Sequence, residues 1–304
     1  MQDRDVSGRR NRHADRDRTT VDAAKRANWM NAANVTKELV ESVGKLAETT
    51  SGVEETESEK RKRHLPASAA VGWLRAGWRD LVSQPVPSLA YGVAVFALSA
   101  LVIAAMFALG WSTVLFPALA GFLVVGPLLA IGLYQKSRAL ETGEPVALKR
   151  MLLVKGKSGG QIPFVGVLLC LLMLLWMRAA VIIYALFFGY RPFPGLDHVA
   201  AMLFTTGTGW AMLLVGTLVG GLFAAFSFAI SAFSVPMLLD ERTDAFTAMG
   251  TSMAMVWNNR PVMIAWGAIV LALFLLSAVT GLLALVVVFP LLGHATWQAY
   301  KAVR

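Results

Sequence analysis

The sequence predicts an all-α fold, a polytopic transmembrane helix bundle of six spans, and three observations carry that reading. Hydrophobic residues make up 56% of the chain, charged residues 15%, and the mean hydropathy is +0.59, too apolar for a soluble chain of ordinary composition. The apolar residues gather between positions 88 and 300 in runs of about 20, the length that crosses about 30 Å of hydrocarbon. Lys and Arg flank these runs on one side.

Residues 1–66 mix charges of both signs with few large apolar side chains, so they cannot bury enough surface to offset their ordering entropy. They are expected to form a disordered cytoplasmic tail, in which only Val35, Leu39, Val43 and Leu46 have the spacing of a short amphipathic helix. Residues 67–304 form the membrane domain. No secretory signal core occurs in residues 1–65, and the first span is expected to act as the insertion signal.

From Pro66 to Gln84, the residues Val71, Leu74, Trp78, Leu81 and Val82 share a helical face, with Arg75, Arg79 and Asp80 elsewhere. That pattern predicts a helix lying in the membrane interface on the cytoplasmic side. Pro85 and Pro87 then break it. Spans are placed near 88–109, 113–135, 162–188, 210–236, 262–279 and 281–300. A single helix from 262 to Tyr300 would be over about 55 Å long, nearly twice the core thickness, so a hairpin at Thr280 and Gly281 is expected.

Orientation follows from the basic residues. Arg75, Arg79, Lys136, Arg138, Lys149, Arg150, Lys155, Lys157, Arg242, Arg260, Lys301 and Arg304 fall on one side and only Arg191 in the outer loops. The reading is a bacterial inner membrane protein with both termini cytoplasmic. The net charge of +9 makes anionic lipid headgroups on the cytoplasmic face the expected partner, at about 1 kcal/mol per basic residue. No basic stripe interleaved with aromatics points to nucleic acid. A homo-oligomer or a membrane-protein partner is left open.

Similar proline-centred runs occur at Val124–Leu129, Val235–Leu239 and Val287–Leu292, which suggests three repeats of an interfacial helix followed by a hairpin. The second interfacial helix would open at Glu144 and Pro145, with proline in the favoured first turn, and the third would align Phe246, Met249, Met253 and Val256. Pro127, Pro236 and Pro290 are expected to kink their helices.

The residues that could carry chemistry are few. Arg178 lies inside the third span, where a charge costs at least about 2.5 kcal/mol. It either snorkels outwards or bonds to neighbouring carbonyls beside Trp176 and Tyr184, or it binds an anion or lipid headgroup. His294 is the one intraspan histidine, followed by Trp297 and Tyr300; it is expected to pack or hydrogen-bond, with a haem or metal ligand or a proton acceptor as the alternatives. Gly216, Gly220, Ala224, Ser227, Ser231 and Ser234 form a small-residue stripe expected to pack against another helix, the alternative being the wall of a conducting path. The single cysteine, Cys170, is expected to be buried and allows no intramolecular disulfide. No phosphate loop, nucleophile elbow, paired carboxylates or metal-ligand spacing is found, so neither an enzyme nor a cofactor nor a metal is expected.

The runs Gly77–Leu81, Val125–Ala130, Leu175–Arg178, Phe233–Asp240 and Phe289–Trp297 resemble a bacterial family of predicted integral membrane proteins, domain of unknown function 2189. The resemblance extends from about Gly72 to the C-terminus, with the closing run as its most specific part, and implies a multi-span inner membrane protein without an established activity. Some members carry the label of putative cytochrome c oxidase subunit I. That chemistry needs several histidines within the spans to hold two haems and copper, and His294 alone cannot supply it. Three classes of function therefore stand: a non-catalytic protein of assembly, scaffolding or lipid organisation; a transporter or channel for a small, perhaps anionic, solute; and a haem- or metal-binding accessory of a respiratory complex.

Overall fold

Prolines at helix starts and glycines in left-handed turns cut the apolar chain into helices. Pro85 and Pro261 sit in the first turns of their helices, where the missing N–H costs nothing. Gly143, at φ +71°, ends another, and Gly281 with Leu282, at φ +62° and +69°, reverses the chain near its end.

The computed structural model of the protein describes residues 34, 36–46, 63, 65–111, 114–189 and 195–304, which fall into two units, 1–60 and 61–304. In the first unit, α1 (36–46) is helical and exposed, with Lys45 and Glu41 paired at 2.9 Å. It coincides with the short helix expected there; the disorder expected over residues 1–33 and 47–62 and the loop holding Arg191 lie outside the described residues, whereas Arg63, within the expected tail, is bonded to Asn259 and Arg304.

The second unit is all-helical among the described residues: α2 (Ala69–Ser83), α3 (Pro85–Ala108), α4 (Leu115–Leu129), α5 (Ile131–Thr142), α6 (Leu148–Leu152), α7 (Gln161–Phe188), α8 (Leu196–Thr205), α9 (Gly207–Ser231), α10 (Ser234–Asp240), α11 (Ala245–Asn258), α12 (Arg260–Val279) and α13 (Leu285–Val303). Five segments are long and apolar enough to cross a membrane: α3, α4 with α5, α7, α9 with α10, and α12. The last helix, α13, is not among them. Its 19 residues carry Gly293, His294, Thr296 and Gln298, and most of its side chains are buried against α2, α3, α5 and α12. A helix wrapped by protein does not need the lipid-facing hydropathy of its neighbours.

The ends of these helices interlock at one side of the bundle. Ser88 at the start of α3 reaches His294 in the last half of α13. Arg138 on α5 meets Asp240 at the end of α10. Gln161, opening α7, accepts the backbone N–H of Ala245. Arg63 donates its N–H to Asn259 before α12, at 3.1 Å, and its guanidinium to the carbonyl of Arg304 after α13, at 2.6 Å. The start of α12 and the end of α13 therefore share one side, and the two helices form the hairpin expected at Thr280 and Gly281.

Several local expectations change. The buried face of α2 is Ala70, Trp73, Gly77 and Leu81, packed against α13 and α12, while Val71, Trp78 and Val82 are exposed. Likewise α11 buries Ala245, Ala248, Met249, Ser252 and Met255 and exposes Phe246, Met253 and Trp257. Helix α6 has only five residues and begins after extended Ala147, so Pro145 precedes it instead of opening it. Pro290 lies within an uninterrupted α13, and the chain breaks at Ala130, three residues after Pro127, and at Ala232–Phe233, just before Pro236. Pro236 has no N–H for the carbonyl of Ala232, which accounts for that second break. Cys170 is exposed, because it falls on the outward stripe of α7 and not on the face that packs.

Candidate functional site

Four buried polar side chains, Ser88, Lys136, Ser137 and His294, converge where α2, α3, α5 and α13 meet. Lys136 is 1% exposed, although its place among the flanking basic residues predicts a side chain facing the cytoplasm. It lies about 32 Å along the helix from Leu115, beyond the thickness of a hydrocarbon core, but is turned into protein. Its ammonium donates to the carbonyls of Asp80 and Gln84, at 2.9 and 2.7 Å, and to Ser88 Oγ at 2.7 Å. All three of its donors are used.

The rest of the network fixes the histidine. Ser137 donates its hydroxyl proton to Asp80 Oδ2 at 2.7 Å, so towards His294 Nδ1, 2.8 Å away, it accepts. Nδ1 therefore carries the ring proton, and Nε2 accepts from Ser88 Oγ at 2.9 Å. Gln298 adds a bond to Asp80 Oδ2 at 3.0 Å. The chain of donors runs from Lys136 through Ser88, His294 and Ser137 to Asp80 and returns to its own helix. It is a closed ring, with a cation, a neutral imidazole and a carboxylate.

Trp297, one turn further along α13, is fully buried and donates Nε1 to Glu141 at 2.8 Å. It lies within the protein, because α2 and α5 cover this end of α13. Beyond it, Asp240 faces Lys301 at 3.3 Å, Arg138 at 3.6 Å and Lys157 at 3.9 Å. Glu241 takes two bonds from Arg304, both at 2.8 Å, and one from Tyr300 at 2.7 Å. Burial alone would raise the Glu241 carboxyl, yet these bonds and the charges of Arg304 and Lys157 hold it below its usual range.

The other expected residues lie elsewhere. Arg178 is exposed on the outer stripe of α7. On α9, Gly220 sits against the Trp176 ring, a Cβ there coming within 2.8 Å, and Ser227 and Ser231 are buried. Gly216 faces open space and Ala224 is exposed, since Phe223 takes the contact with Trp176, at 5.7 Å between ring centroids. Pro127 and Pro290 belong to one neighbourhood: the first lines, and the second sits between Phe289 and Leu292 that line, an apolar cavity of about 100 Å³. Gly293 and Tyr134 also line it, so it backs onto the helices that hold the polar ring.

Asp80, Ser88, Lys136 and Ser137 are the residues that sequence reasoning missed. A lysine directly after the apolar run 113–135, with a serine beside it, is the signal that could have marked them. Among the described residues, no group of three or more His, Cys, Asp or Glu could hold a metal ion. Both nitrogens of His294 are engaged, so neither is free for a haem iron without breaking the ring.

No curated protein and no solved structure matches the chain. Residues 115–240, from α4 through α10, match the model of a family described as predicted integral membrane protein, a narrower stretch than the resemblance from Gly72 to the C-terminus, and one that leaves out α13. That family is the one the motifs resemble, domain of unknown function 2189, and the chain is an integral membrane protein whose residues 115–240 match it.

Proposed function

We propose that this protein is a non-catalytic, six-crossing component of the bacterial inner membrane that organises lipid or scaffolds other membrane proteins, with both termini in the cytoplasm. The observation that carries the reading is the closed polar ring. Every donor of Lys136 and both nitrogens of His294 are spent on the chain's own groups, which ties four helices together and leaves no free position for a substrate, a proton acceptor or an iron. A buried network satisfied in this way rigidifies a core.

The six crossings rest on the meeting of Arg63 with Arg304. A chain whose two points touch on one side of a membrane crosses it an even number of times between them, and α13 supplies the crossing that five apolar segments lack. The basic end of the bundle also carries the exposed apolar faces of α2 and α11. Trp78 and Trp257 lie on these faces, and Arg260 is stacked 4.9 Å above the Trp257 ring. Amphipathic helices flanked by cations suit a surface of anionic headgroups.

The test is native mass spectrometry of the protein extracted from its own membranes, with a visible absorption spectrum of the same sample. Bound phospholipid, with or without a second copy or another membrane protein, and no haem band is the expected result. A haem band lost on His294→Ala, or solute flux through liposomes containing the purified protein, would overturn it.

A further inference from the structure

The outward face of α7 is an almost unbroken apolar stripe. Val167, Leu171, Leu174, Leu175, Val181, Ile182 and Leu186 are all exposed, following the helical repeat. Arg178 sits in the middle of that stripe and is itself exposed, and among the described residues it has no hydrogen bond or ion pair. The opposite face is anchored: Trp176 donates Nε1 to the carbonyl of Pro117 at 3.0 Å, Leu169 and Val165 are buried, and Ile183 is 7% exposed. This anchoring holds Arg178 on the lipid side.

Depth selects the ligand. Helix α7 has 28 residues and is about 42 Å long, some 12 Å more than a hydrocarbon core. With the helix centred, Arg178 lies about 10 Å inside the core boundary at its C-terminal end. An extended arginine covers much of that distance, and local thinning of the bilayer supplies the rest. The charge then needs an anion. None of the apolar segments carries an acidic residue except at its basic end, Glu141 and Asp240, so a second copy of this chain has no carboxylate at this depth. The phosphate of a lipid headgroup is the anion that the membrane itself brings there, and a guanidinium binds phosphate through paired N–H donors.

We propose that Arg178 and the stripe around it form a binding site for one phospholipid, its phosphate on the guanidinium and its acyl chain along Leu174, Val181 and Ile182, in the leaflet at the C-terminal end of α7. The site is separate from the basic end, on the other side of the bundle. It deepens, and rests on, the reading of a lipid-organising protein.

The experiment reconstitutes the full chain in nanodiscs of equal parts phosphatidylglycerol and a phosphate-free diacylglycerol glycolipid, and counts lipids retained by native mass spectrometry. Wild type is expected to keep phospholipid in preference to glycolipid. Arg178→Leu and Arg178→Gln should retain one phospholipid fewer, and Arg178→Lys should retain it in part. Unchanged elution volume and melting midpoint show that each variant is folded; the Gln variant keeps a polar side chain should Leu disturb the helix. Equal phospholipid retention by wild type and both variants overturns the Arg178 site while leaving the wider reading intact. A wild type that keeps no phospholipid overturns both. An adduct of inorganic phosphate in place of lipid, or a foreign polypeptide in native-membrane extracts that is lost with Arg178→Leu, also overturns the proposal.

Discussion

Two buried serines show how one side chain can stabilise or cost depending on its partners. Ser137 gives its proton to Asp80 and takes one from His294, so Ser137→Ala removes two buried hydrogen bonds, leaving the imidazole N–H to the Leu133 carbonyl and the Asp80 carboxylate to Gln298. Losing two such bonds costs about 1–3 kcal/mol. Ser227 is just as buried, yet its hydroxyl has no partner among the described residues. Ser227→Ala removes an unsatisfied group from an apolar contact and should be neutral or stabilising. Thermal unfolding of the two variants in one detergent checks the pair: a lower midpoint for Ser137→Ala and an equal or higher one for Ser227→Ala is expected. Equal shifts would mean that the ring contributes nothing beyond packing. His294 is expected to pack or hydrogen-bond, but its partners were not legible in the sequence. Ser137 and His294 are 157 positions apart, and Lys136 reads as one more basic residue flanking a span. Hydropathy reports which residues avoid water but not which distant polar groups satisfy each other.

At the scale of elements, the close approach of α2 to α13 depends on Gly77. A Cβ built there comes within 2.5 Å of the backbone nitrogen of Ala295, whereas one at Gly72, on the same helix, meets nothing within 4 Å. Adding the same methyl at the two positions should therefore give opposite signs. Gly72→Ala gains about 0.5–1 kcal/mol from the lower entropy of the unfolded chain. Gly77→Ala forces two backbones apart, and overpacking of this kind costs about 1–3 kcal/mol. Denaturation midpoints that moved in the same direction would sink the argument. Helix positions were largely legible here: apolar runs and prolines locate α2, α3, α7, α11 and α12 to within a few residues. The contact faces were not. Both sides of α2 are apolar, Ala70, Trp73, Gly77 and Leu81 on one and Val71, Trp78 and Val82 on the other. Periodicity shows that such residues align, but which side meets protein is set by the small residues that let a neighbour approach.

For the whole molecule, the number of crossings is a question of parity more than of hydropathy. Counting apolar segments gives five, because α13 spends its second half on Gly293, His294, Thr296, Gln298 and Lys301 and is buried by its neighbours. The contacts of Arg63 with Asn259 and Arg304 instead favour the proposed six crossings, in which the chain returns to the end of the bundle where the membrane unit begins. Arg138, Lys157, Arg260, Lys301 and Arg304 cluster at that same end, which supports the proposed cytoplasmic placement through the positive-inside tendency. Fusions of a reporter active only in the cytoplasm, placed before Arg63 and after Arg304, should both be active, and one in the turn at Gly281 should be silent. Silence at both Gly281 and Arg304 would instead show that α13 does not cross, and activity at Gly281 with silence after Arg304 would show α12 and α13 reversed. In either case the ring that joins His294 to α2, α3 and α5 could not hold these helices as described.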